Sequence, residues 1–358
     1  MRSTRLIAAA AASLFLLGGC SAPKKEHIKE PVEPVANEIP SDLTITGEEM
    51  NGNEWYHQMC DEILQFKSSC IVSTHVTNQD VKKALAHLPS DHPEIFWLGK
   101  RYSASTVTDG SKIALGFLEG LEEEDIPDMA AKLDEKVNEI VANTPSGSDY
   151  DKILYVHDYI VDNTTYDYAG AASDKPGLYH TTYGCLVDGN AVCEGYAESF
   201  TLIMNKLGIE SGICTGSNHA WNYVKLNGKY YWIDTTWDDH AKHEPEHIYC
   251  LVNSDMLMRS RNIDWTQGYF PDCTSTDDNY YVKNGSYFTE YDRDKVISYI
   301  ESCAGKEHCE FMFADYETYK TALYDLFDDN KISKASNIDS DSVDYFREDN
   351  MFAVVIYF

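Results

Sequence analysis

The stretch from Asn218 to Asp234 constrains the chain most. The runs His219-Ala220-Trp221-Asn222-Tyr223-Val224-Lys225-Leu226 and Lys229-Tyr230-Tyr231-Trp232-Ile233-Asp234 flank Asn227-Gly228. Two such aromatic-rich runs joined by Asn-Gly specify a two-residue type I′ hairpin, because both turn residues need positive φ. The turn also sets the register. Leu226 faces Lys229, Trp221 is expected opposite Asp234, and His219 opposite Thr236. His219 and Asp234 then share a face as diagonal neighbours about 7–8 Å apart, a gap that an imidazole–carboxylate hydrogen bond can close.

Upstream, Cys193-Glu194-Gly195-Tyr196-Ala197-Glu198-Ser199-Phe200 opens a helical pattern that continues through Leu202, Ile203 and Leu207 and stops at Gly208. Cys193 therefore sits at a helix N-terminus. There the unpaired N–H groups and the positive end of the dipole are expected to lower a thiol pKa. A cysteine nucleophile, a histidine base and an orienting carboxylate are the parts of a nucleophile–His–Asp triad. The helix must dock against the hairpin face to assemble them.

Val192-Cys193-Glu194-Gly195-Tyr196-Ala197, His219-Ala220-Trp221-Asn222 and Trp232-Ile233-Asp234-Thr235-Thr236-Trp237 together resemble the core of the transglutaminase-like superfamily. The order Cys, His, Asp and the gaps of 26 and 15 residues suit that family. His157-Asp158-Tyr159 and Thr165-Tyr166-Asp167 look like its preceding helix and loop, and the resemblance covers about residues 149–290. It implies an α+β, papain-like core in which a Cys-bearing helix packs on an antiparallel sheet. Cys193 is then expected to attack a carboxamide or peptide carbonyl and form a thioester. His219 would move the proton and Asp234 would hold the imidazole tautomer. The backbone N–H of Cys193 is a candidate oxyanion donor, with Tyr166 or Tyr183 as the aromatic one. The family contains transamidating, hydrolysing and inactive members, so a cysteine peptidase or amidase and a non-catalytic binding module remain alternatives. The implied substrate is a protein or peptide with glutamine or amide groups, and no cofactor is implied.

The N-terminus has Arg2 and Arg5, a 12-residue apolar run from Leu6 to Leu17, and then Gly18-Gly19-Cys20. The run is too short to span a bilayer, which takes about 20 residues. It resembles a bacterial lipoprotein signal, with Cys20 as the lipidated first residue of an exported, membrane-tethered chain facing outside. The expected organisation is a leader at 1–19, a Pro-containing flexible spacer at 20–50 and a mostly helical region at 51–145. The catalytic core at 146–292 and a small α+β unit at 293–358 follow. Within these we expect a helix stripe of Trp55, Met59, Ile63 and Phe66, and a buried strand at Pro93–Leu98. A second helix is expected from about Asp125, and a third has Asp149 as N-cap. Tyr280-Tyr281-Val282, Asn284-Gly285 and Tyr287-Phe288 read as a hairpin. Helices at Lys295–Cys303 and Thr318–Phe327 and strands at Glu310–Phe313 and Ala353–Phe358 complete the chain.

Other features argue for less. His157 lies on an apolar stripe and is expected as a hydrogen-bonded core residue. His240, His243, His247 and Cys250 cluster in sequence, but Pro245 interrupts any single helical face and no Cys-x-x-Cys pair accompanies them, so no metal site is expected. Asp339 to Asp344 lacks the glycine and closing Glu of an EF-hand loop. Of ten cysteines, eight remain beyond Cys20 and Cys193. They permit disulfides, Cys60–Cys70 and Cys303–Cys309 being the most local pairs, or free thiols. The 29 basic and 59 acidic residues give −30, and loss of Arg2 and Arg5 with the leader makes it −32. Such a balance excludes sequence-independent binding to nucleic acid, which rests on clustered Lys and Arg.

Overall fold

The computed structural model describes residues 50, 52–173, 175–240, 245–263, 270–338 and 343–358. The expected leader, Cys20 and the spacer up to residue 49 lie outside them. Met50 is already buried against the core. Helices mix with largely antiparallel sheets, which is the expected α+β class. Among the described residues no helix is long and apolar enough to cross a membrane.

Helix α1 (Glu54–Ile63) buries Trp55, Met59 and Ile63. Phe66 lies beyond its end, at φ 62. Strand β1 (Ser69–Val72), helix α2 (Asn78–Asp91) and strands β2 (Leu98–Val107) and β3 (Gly110–Phe117) follow. The strands form an antiparallel sheet in the order β1-β3-β2, so the region expected to be mostly helical carries a sheet. Thr108-Asp109 closes its hairpin, with Val107 paired to Gly110. Gly110 has φ 149 and a Cβ there would lie 1.9 Å from the Val72 carbonyl oxygen, so only glycine fits. The expected strand at Pro93–Leu98 is instead a turn and an irregular run, its Trp97 carbonyl accepting the Leu118 N–H, that enters β2 only at Leu98. Its apolar residues Phe96 and Trp97 are buried by packing rather than by a ladder.

Helix α3 (Ile126–Asn143) buries Ile126, Leu133, Val137 and Ile140. Helix α4 (Asp149–Asn163) begins with a capping box. Ser148, not Asp149, is the N-cap, because its hydroxyl reaches the Asp151 N–H while Asp151 accepts from the Ser148 N–H. Strand β4 (Thr165–Tyr166) pairs in parallel with β5 (Asn190–Ala191). Helix α5 (Cys193–Leu207) ends at Gly208 in the left-handed conformation, as expected.

Strands β6 (Ser211–Gly216), β7 (His219–Leu226) and β8 (Lys229–Ile233) make an antiparallel sheet in that order. Asn227 and Gly228 have φ 52 and 77, and the ladder runs in the expected register from Leu226–Lys229 to Asn222–Ile233. There it stops, so Trp221 and His219 do not pair with Asp234 and Thr236 as expected. The Asp234 side chain accepts the N–H groups of Thr236 and Trp237, a side-chain turn that ends the strand.

The expected hairpin at 280–288 is a short helix, α6 (Tyr280–Asn284), capped by Asn279 and closed by Gly285 at φ 70. A left-handed glycine serves a helix end as well as a hairpin. Strand β9 (Tyr287–Phe288) pairs in parallel with β10 (His308–Phe313). With β11 (Asp344–Glu348) and β12 (Ala353–Tyr357) they form a sheet in the order β11-β12-β10-β9. Helices α7 (Arg293–Ser302) and α8 (Tyr316–Leu323) lie near their expected positions, and β11 was not expected. One cluster of buried side chains runs from Met50 to Leu251, across the expected boundary at 145/146. A second joins Trp221 and Trp232 to Met312 and Val355, which fastens the C-terminal sheet to the β6–β8 sheet.

Candidate active site

Cys193 is the first residue of α5, and its N-cap Val192 makes no side-chain bond to the first turn. The positive helix end therefore faces the thiol. The Cys193 Sγ accepts from the backbone N–H groups of Ala220 and Glu194, which places it against the start of β7, beside His219. Two features hold α5 there. The buried Asn222 amide on β7 donates to the Ala197 carbonyl and the Thr201 hydroxyl, each at 2.9 Å. On the other side, a Cβ on Gly195 would lie 2.9 Å from both the Ala191 Cβ and the Thr181 carbonyl oxygen. Glycine lets the first turn of α5 press against that loop.

The thiol pKa moves opposite to the sequence expectation. Burial pushes Cys193 up to about 11, with Glu194 and Asp234 adding negative charge nearby, and the two backbone N–H groups recover only part of that. The helix end is present, but desolvation of the thiolate outweighs it.

His219 stands at the first position of β7 and its Nε2 lies 2.8 Å from Asp234 Oδ2. That bond leaves Nδ1 as the ring's other polar atom. Burial alone would raise the Asp234 carboxyl, but His219 and Arg261 hold it well below the usual carboxylate range. Oδ1 accepts from the Thr236 and Trp237 N–H groups, each at 3.1 Å, and Oδ2 also accepts from Arg261 Nη1. Arg261, which the sequence reading missed, is buried with its guanidinium carbon 3.9 Å from the Trp237 ring centre and 4.8 Å from that of Tyr249.

The two oxyanion candidates separate. The β4–β5 pairing sets Tyr166 opposite Ala191, two residues before Cys193. Burial raises the Tyr166 hydroxyl to about 12, with the Cys193 thiolate the largest charge influence on it. Tyr183 packs against Phe96, with ring centres 4.9 Å apart. Tyr168, which stacks edge-on with Tyr166, and Trp237, beside His219, are exposed aromatics flanking the site.

The histidine-rich segment does not assemble as one cluster among the described residues. His243 lies outside them, His240 Nδ1 pairs with Glu246 at 2.9 Å, and His247 turns to Asp158 and Glu310. His157 is fully buried and hydrogen-bonded, with Nε2 3.0 Å from Asp238 Oδ2. The nine described cysteines are free thiols, so neither Cys60–Cys70 nor Cys303–Cys309 is a disulfide in this structure.

Residues 135–241 match the family model of the transglutaminase-like superfamily. The match starts within α3 and spans Cys193, His219 and Asp234. No curated protein matches the chain. Among solved structures the chain is similar to a TGase, at 16% identity over 50% of this chain and 53% of that one, with a TM-score of 0.28. It is also similar to a candidate cysteine protease from Cytophaga hutchinsonii, at 16% identity over 38% and 61%, TM-score 0.25. A candidate protease from Parabacteroides distasonis aligns at 13% identity over 38% and 36%, TM-score 0.20. The chain thus spans less than two thirds of each of these proteins.

Proposed function

We propose, from the transglutaminase-like domain at residues 135–241, that the chain is a cell-envelope thiol enzyme that acts on amide bonds through Cys193, His219 and Asp234. With the thiol neutral in the free protein, attack and proton transfer are coupled. As Sγ bonds to the carbonyl carbon of a carboxamide or peptide, His219 Nδ1 takes the thiol proton. Asp234, on Nε2, holds the tautomer and stabilises the imidazolium without being protonated itself. The Cys193 N–H and the Tyr166 hydroxyl receive the oxyanion. The imidazolium returns the proton to the departing ammonia or amine as the C–N bond breaks, leaving a thioester. Water or a primary amine then attacks that carbon, and the thiol leaves with the proton.

The observation that supports this reading most is the 2.8 Å His219–Asp234 bond next to a cysteine at a helix N-terminus. The test gives the full chain, in detergent, a glutamine-containing peptide and a labelled primary amine. Label incorporation lost in Cys193→Ala marks transamidation, ammonia release alone marks deamidation, and cleavage marks a peptidase. None of these over a broad peptide set would favour a binding module. We further propose export and lipid tethering at Cys20. A metabolically supplied alkyne fatty acid should label the wild-type chain and not Cys20→Ala.

A further inference from the structure

A second cluster lies away from Cys193. His157 and Asp158 are on α4 and His247 is in the segment after β8. One donor atom from each lies within 4.8 Å of the other two. We propose that His157, Asp158 and His247 bind one divalent transition-metal ion of the zinc type.

Hydrogen-bond accounting carries the argument. His157 Nδ1 is 2.9 Å and His247 Nε2 3.0 Å from the same atom, Asp158 Oδ1. The other nitrogen of each ring is already engaged, His157 Nε2 with Asp238 at 3.0 Å and His247 Nδ1 with Glu310 at 2.6 Å. Both of those carboxylates are buried and further fixed. Asp238 accepts the Tyr249 N–H, and Glu310 accepts the His247 N–H and the Tyr281 hydroxyl. A neutral imidazole has one N–H, and each ring commits it to its buried carboxylate. The nitrogens facing Asp158 are then lone pairs. With both rings neutral, three acceptors converge on one point.

A cation between them satisfies all three. Imidazoles whose far N–H is held by a carboxylate are the usual outer arrangement of metal-ligating histidines. Both contacts to Asp158, at 2.9 and 3.0 Å, are close to the roughly 3.3 Å between ligands that sit about 2.0–2.1 Å from a tetrahedral zinc. Protonating both rings is the competing solution, but the rings stack with centres 5.2 Å apart, and two imidazoliums so placed repel. His247 is also clamped flat on Tyr280, with centres 3.8 Å apart and planes 4° from parallel, so its ring direction is set. Asp158 and His247 open onto a cavity of about 460 Å³ that Asp162, Tyr299, Cys303 and Lys306 also line, which gives a water access as fourth ligand. No lining residue belongs to the Cys193 site. Through Glu310 on β10 and Asp238 in the turn after Asp234, the ion clamps α4, that turn and the C-terminal sheet together.

The full chain in detergent, with any affinity tag removed, is stripped with chelator and titrated with Zn²⁺ by calorimetry and Co²⁺ by visible absorption. One ion per chain, cobalt d–d bands of a tetrahedral nitrogen–oxygen site and a raised Tm are expected. Asp158→Asn should weaken zinc binding on the order of 100-fold or more, and Glu310→Gln, which alters only the support of His247, about 10–100-fold. Circular dichroism checks that each variant is folded. Failure of the folded wild type to take up an ion in stoichiometric amount overturns the proposal, as does uptake that Asp158→Asn leaves unchanged. Either result assigns the cluster to protonated imidazoles.

Discussion

At Asp234 an imidazole and a guanidinium share one oxygen, because Oδ2 accepts from both His219 and Arg261. The guanidinium lies in an aromatic enclosure of Trp221, Trp237 and Tyr249, where water cannot replace a lost partner. Breaking a buried pair by removing one member typically costs 3–5 kcal/mol, so Arg261→Met should lower stability by about 3 kcal/mol in urea denaturation. An unchanged midpoint would mean the guanidinium contributes nothing net. Cys193 gives a second prediction. Its alkylation by iodoacetamide should rise with a midpoint above the usual ~8.5 of a free thiol, toward the value of about 11 that burial imposes. A midpoint below that of a free thiol would mean that the thiolate–imidazolium pair already exists in the resting protein. Cys193, His219 and Asp234 were legible from residue type and spacing to a helix start and a turn. Arg261 was not, since an arginine beside Arg259 in an irregular segment looks like any solvated base.

At the scale of elements, the first turn of α5 is where packing meets chemistry. Gly195 permits the approach of the loop at Thr181, and Gly195→Ala must push the helix N-terminus away from it. A displacement of about 1 Å at a reacting group can cost on the order of 100-fold in rate. Gly195→Ala should therefore lower kcat/KM by at least about tenfold while the far-ultraviolet circular dichroism is unchanged; wild-type kinetics would remove Gly195 from the positioning of Cys193. Three turns differ in how clearly the sequence around them marks a hairpin. Asn227-Gly228 lies between alternating aromatic runs and forms the expected turn. Asn284-Gly285 follows Asn279, whose side chain caps a helix, and the same left-handed glycine closes that helix. The β2–β3 turn is Thr108-Asp109, with Gly110 already paired to Val107, and the small and polar residues around it mute the alternation that marks a hairpin in sequence.

For the whole molecule, the unbroken cluster from Met50 to Leu251 makes the helical and catalytic regions one folding unit. A fragment of residues 146–292 would expose the α5 face that α2 and α3 cover. It should be insoluble or lack a cooperative thermal transition, and a sharp transition in the fragment would contradict the shared core. Stability should also fall steeply in acid. The Asp234 carboxyl is held below its usual value, so the folded chain binds fewer protons than the unfolded chain as pH drops through about 4. Its contribution is present above that pH and is lost below it. Asp234→Asn should flatten the fall in Tm between about pH 5 and 2.5, and an unaltered acid limb would show that other carboxylates govern it.

The sequence by itself determined the parts whose information is local. These are the Asn-Gly turn and its register, the helix from Cys193 to Gly208, the stripe of α3, and hence the α+β class and the candidate trio. What tertiary structure alone decided are quantities that depend on neighbours distant along the chain. Burial sets the Cys193 thiol upward despite the helix end, a side-chain turn at Asp234 ends the strand, and Arg261 arrives from 27 residues downstream. His247, set among histidines by sequence, is turned instead to Asp158, 89 residues away, and to Glu310, 63 residues away. Turn chemistry and periodicity act over a few bonds, whereas desolvation and charge pairing act through space.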